Sequence, residues 1–447
     1  MDMQHFLETV NHFFTLAIVF PVVIGMGLYL TIALRFVQFR KLHQSLRSLA
    51  QKNSDSEGNI SRFEAISAVL AGNFGTGNIS GMAVAITTGG PGALVWMWMM
   101  VLFGTVIQYA SCILGVAYRR KDSEGNYRGG PMYYLEWGLG LKKAGMLFAV
   151  CTLFGALTVG NFAQTNSIIL PLEQYGLTPL LSSFAVAIFV AIVILGGIKR
   201  IANFASYVVP FKAILYLGTA LVILAFHYDQ IIPALTLMIR HAFGFESLAG
   251  GVLGASVLKA MTTGFDRGLF ATDAGTGIVP ILQSSARSEH PVLDGIATLI
   301  APFLVMVVCT ATGLVLIVTG AWQTGLKSTN MVTHAFSAGL GTEMGGVIVV
   351  ISLLLFAYTT IIAWSHCGEL AAGYLFGKEK AKWFRYLFLV LIPLGSFLQV
   401  QMIWTLADIS ITLMLCLNML GIMGLSKYVI DSSREFQLAE IRYDSPT

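Results

Sequence analysis

The feature that most constrains this chain is a recurrence of apolar runs about twenty residues long, separated by short polar loops. A helix of that length is what crossing the hydrocarbon core of a bilayer requires. Eleven such runs are read along the chain: 12–36, 65–87, 91–118, 146–172, 180–198, 206–226, 252–272, 291–320, 346–376, 385–399 and 402–427. The last two part only at Gln399–Met402. Charged residues make up 11% of the chain, against about 25% in a soluble domain. The expected class is therefore an all-α membrane protein of 11 transmembrane helices in a lipid bilayer, with no soluble domain and a short tail at 428–447.

Lys and Arg in the loops orient such a chain. One face collects Arg35, Arg40, Lys41, Arg47, Lys52, Arg62, Arg119, Arg120, Lys121, Arg128, Lys142, Lys143, Lys199, Arg200 and Arg287, then Lys378, Lys380, Lys382, Arg385, Lys427, Arg434 and Arg442. The other face has Arg240 and Lys327. This asymmetry predicts the N-terminus outside, the C-terminus in the cytoplasm and an odd number of spans. The net charge of +4 is thus a topology signal and no argument for nucleic acid. The five cysteines (Cys112, Cys151, Cys309, Cys367, Cys416) fall inside spans without metal-ligand spacing, so they read as small apolar residues rather than disulfides. Acidic Asp2 and Glu8 ahead of the first run, with no basic region, argue against a cleavable signal peptide.

Two runs carry instructions to come apart. In the second, AGNFGTGNISG (Ala71–Gly81) crowds four glycines with Asn73, Thr76 and Asn78, although glycine is a poor helix residue. Glycines in membrane helices also serve close packing, and Gly77 and Gly81 have that spacing. Packing does not call for amides and a hydroxyl on several helix faces. The seventh run holds TTGFDRG (Thr262–Gly268), where a second break is expected. With 12–36 set aside, these runs open two five-helix halves, 65–226 and 252–427, which an odd helix count inverts relative to each other. Paired Gly-interrupted segments at matching positions point to a transporter's binding site. Unwound backbone at membrane depth survives only where it lines a cavity. There its N–H groups suit an anion and its carbonyls a cation.

Around these segments the chain resembles the alanine or glycine:cation symporter family, the sodium:alanine symporters. The resemblance is carried by GTGNISGMAVAITTGGPGALVWMW (Gly75–Trp98), GGPMYY (Gly129–Tyr134), GNFAQTNS (Gly160–Ser167), DRGLFATDAGTG (Asp266–Gly277) and FAYTTIIAW (Phe356–Trp364). It covers nearly the whole chain and implies a leucine-transporter-type fold, one helix followed by two inverted five-helix repeats. It also implies site residues. The N–H groups of Thr76 and Gly77 would hold a substrate carboxylate, the Asn73 carbonyl would take its ammonium, and Asn78 would support them. Gln164 would contact the amino acid, Thr360 and Trp364 would form the opposite wall, and Gly264 and Phe265 would close the pocket. Na⁺ would sit among the carbonyls of Ala71, Phe74 and Phe356 and the hydroxyls of Thr359 and Thr360. Neutral oxygens satisfy that ion. One departure stands out: Thr272-Asp273-Ala274-Gly275 replaces the family's usual Asn-Glu-Ala-Gly.

The remaining polar residues admit two readings each. Asp266, Arg267 and Asp273 read as a cytoplasmic gate or as charges at an ordinary helix end. Lys212 and Lys259 either snorkel, the preferred reading, or fill the place of a cation. His366 and Glu369 relay protons or face the cytoplasmic vestibule. Asp408 lines the outer vestibule or marks a helix end, and Trp322, Trp383 and Trp404 read as interfacial belt residues.

The expected function is Na⁺-coupled symport of a small neutral amino acid, alanine or glycine, by alternating access in a bacterial inner membrane. No catalytic residues and no cofactor beyond the coupling ion are expected. The alternatives are an H⁺-coupled carrier of the same fold, using His366, Glu369 or Asp273, and a channel or membrane sensor. An intramembrane enzyme would need a nucleophile or metal constellation that no helix face presents.

Overall fold

Helices form wherever apolar runs leave the backbone no other partner, and the computed structural model shows where that rule gives way. It describes residues 9, 11, 13–50, 57–173, 176–244 and 252–444. Asp2, Glu8, His12 and Lys52, used above for flanks and orientation, lie outside these residues. Among the described residues, seven helical stretches are long and apolar enough to cross a membrane: Thr15–Ala33, Ala93–Ala117, Lys142–Glu173, Gly197–Phe226, Pro291–Val318, Met344–Phe376 and Gln401–Gly424. Of the other expected spans, 180–198 is the short helix Pro179–Ile194, 65–87 is interrupted within 62–89, and 252–272 is a helix that leads into a turn. The run expected at 385–399 is displaced to the helix Lys378–Leu391, after which Pro393–Ser396 form a short turn. A single two-stranded antiparallel ladder, Arg120–Lys121 with Tyr127–Arg128, is the only sheet among the described residues.

The first interrupted segment starts on a capping box. Ser61 Oγ accepts the Glu64 N–H at 3.2 Å and the Ser61 N–H reaches Glu64 Oε2 at 2.8 Å, a contribution of about 1 kcal/mol. The helix Arg62–Asn73 ends there, and Gly75 is extended. Thr76–Asn78 make one short 3₁₀ turn, and Ser80–Gly89 resume the helix. All residues from Ala65 to Ala83 are buried, so the interruption lies inside protein.

The second interruption is not where the glycines of TTGFDRG place it. Val252–Thr272 is one continuous helix. The chain turns at 273–277, with positive φ at Asp273 (50°), Gly275 (92°) and Gly277 (93°), before Ile278–Gln283. Gly264 serves packing instead: a Cβ there would lie 2.3 Å from the Ala93 carbonyl oxygen. Helix–helix approach, not unwinding, explains that glycine.

The GGPMYY segment is explained by the second turn. A Cβ on Gly130 would meet Ile281 at 2.5 Å, and one on Gly277 would meet Pro131 at 2.4 Å. Two loops thus lock together through glycine. At the same end Asn59 N donates to Ser285 O (2.9 Å) and Arg287 N to Ile60 O (2.8 Å), while Arg119 Nη1 donates to Ala286 O at 2.8 Å. This clasp joins the start of the first broken segment to the end of the second, at the end of the bundle rich in Lys and Arg.

Candidate functional site

The first break is stitched by its own polar groups. Asn78 Nδ2 donates to the carbonyls of Asn73 (2.8 Å) and Gly75 (3.3 Å). Asn78 Oδ1 accepts from Cys309 Sγ, and the Asn78 carbonyl accepts from Thr312 Oγ1 at 3.0 Å. Two groups expected to meet the substrate are bonded within the protein here. The Asn73 carbonyl, assigned to a substrate ammonium, is held by Asn78. The Thr76 N–H, assigned to a carboxylate, donates to Gln164 Oε1 at 3.1 Å. The side-chain amide of Gln164 therefore stands where a carboxylate oxygen would, and its Nε2 is tied to the Val159 carbonyl at 3.0 Å. Gly77 must be glycine for a reason the pattern alone does not reveal: a Cβ would lie 2.7 Å from the Phe270 ring.

Gln164 is presented by a wide π-type turn at Thr158–Phe162 that leads into the helix Ala163–Glu173. Gly160 in that turn lets Trp364 pack directly on the backbone, since a Cβ would lie 2.2 Å from the Trp364 Cβ. Trp364 is fully buried, with no partner for Nε1. Gly72, Asn73, Gly75, Gly77, Gln164, Phe270, Asp273, Thr360 and Trp364 surround one cavity of about 10 Å³, room for no more than one water. Both side-chain polar atoms of Asn73, the Thr76 hydroxyl and Asp273 Oδ1 lack hydrogen-bond partners while buried. Such orphaned groups are costly unless a ligand completes them.

Gly264 and Phe265 do not close this cavity. Phe265 is fully buried with its ring 4.7 Å from that of Phe20. Phe270 and Asp273, further along, take the closing position because the turn comes later. Nor do the three charges meet: Asp273 lines the cavity, while Asp266 and Arg267 lie apart from it. Arg267 pairs with Asp408, and Asp266 accepts from Thr15 Oγ1 at 2.7 Å. Both sit beside Asn11, Lys259 and Lys327 in a vestibule of about 590 Å³, at the end opposite the basic clasp. Arg267 lies 5.3 Å over the Phe270 ring and 5.0 Å over that of Trp404, and these rings are 4.7 Å apart. Trp404 is thus buried in a lid rather than part of an interfacial belt. One layer of cation and aromatic rings separates the vestibule from the cavity.

The oxygens expected around Na⁺ do converge. Thr360 Oγ1 lies 3.0 Å from the Ala71 carbonyl, 3.1 Å from that of Gly72 and 3.1 Å from that of Phe356. Thr359 Oγ1 is 3.0 Å from the Phe356 carbonyl. One hydroxyl hydrogen cannot serve three carbonyls, so the seam is acceptor-rich. Lys212 enters it. Its Nζ donates to the Phe74 carbonyl at 2.9 Å and to Thr359 Oγ1, and the side chain is fully buried. Snorkelling is therefore overturned: mid-helix in Gly197–Phe226, the shortest route to acceptors leads inward.

His366 and Glu369 lie at the basic end. Glu369 is paired with Arg385 at 2.7 Å, and His366 Nδ1 is 3.8 Å from Glu369. Among the described residues no group of three or more His, Cys, Asp or Glu side chains is placed to hold a metal. Phe270, Asp408 and Lys212 are among the residues whose roles the pattern alone leaves open or misassigns. For Phe270 the usable signal was its place just ahead of Asp273-Ala-Gly-Thr-Gly, a denser turn sequence than TTGFDRG.

The full length of this arrangement has counterparts. Residues 1–446 match the sodium:alanine symporter family. Over 454 residues the chain is 38% identical to the sodium/alanine symporter AgcS of Methanococcus maripaludis, covering 99% of this chain and 98% of that one. Over 444 residues it is 34% identical to the probable sodium/glutamine symporter GlnT of Bacillus subtilis, covering 97% and 91%. It shares its fold with a mutant manganese transporter of Eremococcus coleocola, with a TM-score of 0.52 at 14% identity over 82% of this chain and 80% of that one. These relatives are transporters rather than enzymes, and by the length and level of the matches the chain belongs to the sodium:alanine symporter family.

Proposed function

We propose that the protein moves a small neutral amino acid, alanine or glycine, across a bacterial inner membrane by cation-coupled alternating access. In this reading 65–226 and 252–427 are two inverted five-helix repeats behind a leading helix at 12–36, eleven spans in all, with 428–447 a cytoplasmic tail. The N-terminus and the vestibule of Arg267 and Asp408 face outside.

The observation that carries the reading is the buried cavity between the two interruptions, rimmed by orphaned polar groups of both kinds. Asp273 is the acceptor suited to an ammonium, and the Thr76 N–H is the donor suited to a carboxylate once Gln164 swings away. Trp364 on Gly160 and Phe270 on Gly77 leave no lateral space, which favours a side chain of one carbon or none. The vestibule on one side and the backbone clasp on the other make the two approaches unequal, as a carrier closed inward requires.

Na⁺ is the driving ion that the family's description supports. A second reading, with H⁺ as driver, is favoured by the position of Lys212 on the expected Na⁺ ligands. Uptake of labelled alanine, glycine and glutamine into proteoliposomes tests both, with imposed Na⁺ or H⁺ gradients and the other ion clamped. Saturable alanine or glycine uptake that exceeds glutamine uptake is expected. Flux without saturation, or none under either gradient, would reject the carrier.

A further inference from the structure

We infer that Lys212 is a built-in cation: its ammonium replaces Na⁺ at the junction between the first helix break and the Met344–Phe376 helix. The inference rests on the transport reading only for its consequence; the site itself is defined by its ligands.

Four observations converge. The ammonium reaches the Phe74 carbonyl at 2.9 Å and the Thr359 hydroxyl, two of the five oxygens expected to hold the ion. The rings of Phe74 and Phe356 are stacked 5.8 Å apart, and Nζ lies 5.7 Å and 4.7 Å from their centroids. A cation facing aromatic rings and carbonyls is stabilised without a counter-ion. Among the described residues no acidic side chain is within ion-pair distance of Lys212, so its charge is met by neutral groups, as that of Na⁺ would be. One turn on, Tyr216 packs 5.7 Å from Phe356 and donates to or accepts from Thr312 at 2.8 Å. Thr312 in turn holds the Asn78 carbonyl. The helix bearing Lys212 is thereby fixed to both sides of the break.

An ammonium and a sodium ion of the same charge cannot share the Phe74 carbonyl. A tethered cation also cannot leave with the substrate. With Lys212 in place, this junction is held together permanently, where a diffusible ion would hold it only in some states. Any Na⁺ that drives transport must bind elsewhere.

The test counts bound Na⁺. Equilibrium binding of ²²Na⁺ to purified, alanine-loaded protein is compared for the unaltered chain, Lys212→Met and Lys212→Ala. Each variant is expected to bind one more Na⁺ per chain, and adding Thr359→Val to the variant should abolish the gain. Equal Na⁺ counts in variant and unaltered protein overturn the proposal. Thr359→Val in the otherwise unaltered protein gives an independent measurement if the lysine variants do not fold. Its Na⁺ affinity should stay within about twofold, and a loss of tenfold or more overturns the proposal. Alanine uptake by the unaltered protein separates the two ideas. Its absence under every gradient rejects the carrier, while the Na⁺ count still reports on Lys212.

Discussion

The two interruptions solve the same problem with opposite means. The break at 74–79 contains no left-handed residue and is held by side chains: Asn78 ties Asn73 to Gly75, Gln164 takes the Thr76 N–H, and Thr360 faces the carbonyls of Ala71 and Gly72. The turn at 273–277 is held by backbone conformation, with three positive φ values in five residues, a geometry that glycine adopts freely and aspartate only at a cost. The first break is thus held by bonds that side chains can give up, whereas the second is held in the main chain itself. That contrast suits a site where one partner moves to admit the solute and the other supplies a rigid carboxylate.

The largest effect is expected of Gly77→Val. Its side chain would occupy the space of the Phe270 ring, and overpacking of 1–3 kcal/mol corresponds to a loss of alanine uptake of up to about 100-fold. Surface biotinylation should show normal membrane insertion. Uptake near that of the unaltered protein would mean that Phe270 does not face the break.

Asp273→Asn probes the fixed turn. Its Oδ1 is buried without a partner, and losing a charge-assisted bond to the substrate ammonium should weaken alanine binding by about 10- to 100-fold. Scintillation proximity binding measures this, and unchanged affinity would leave the carboxylate a structural role only.

Arg267→Gln removes one half of the lid and leaves Asp408 unpaired. Exchange of preloaded alanine through the vestibule should quicken by about 10-fold, because breaking a shielded pair costs a few kcal/mol. The double change with Asp408→Asn should restore part of the retention, which pairs in contact do and distant residues do not.

Gly81→Ala is the smallest effect and the control for Gly77. A Cβ there meets nothing closer than 3.9 Å, so uptake should stay within about twofold. A large loss would place Gly81 in the break rather than in the helix that follows it.

How much of this was legible in the sequence follows from what each signal depends on. Hydropathy marks where a helix must be apolar, so the long spans were plain, while the run read at 385–399 was misplaced because the helix there, Lys378–Leu391, opens on charged residues. The first break was legible because its polar residues and glycines share one window. The second was misplaced because glycine serves both unwinding and close approach; Gly264 packs on Ala93 and looks the same in sequence as a break. Lys212 was undecidable from one helix, since the carbonyl that receives it belongs to Phe74, more than a hundred residues away. Arg267 likewise shows its partner only once Asp408 is brought beside it by the fold.

A structure determined with L-alanine bound tests this site most directly. The carboxylate is expected on the N–H groups of Thr76 and Gly77, with Gln164 Oε1 displaced from Thr76 and the ammonium at Asp273. Alanine found only in the vestibule among Lys259, Arg267 and Lys327, with the Thr76–Gln164 bond intact, would contradict that placement.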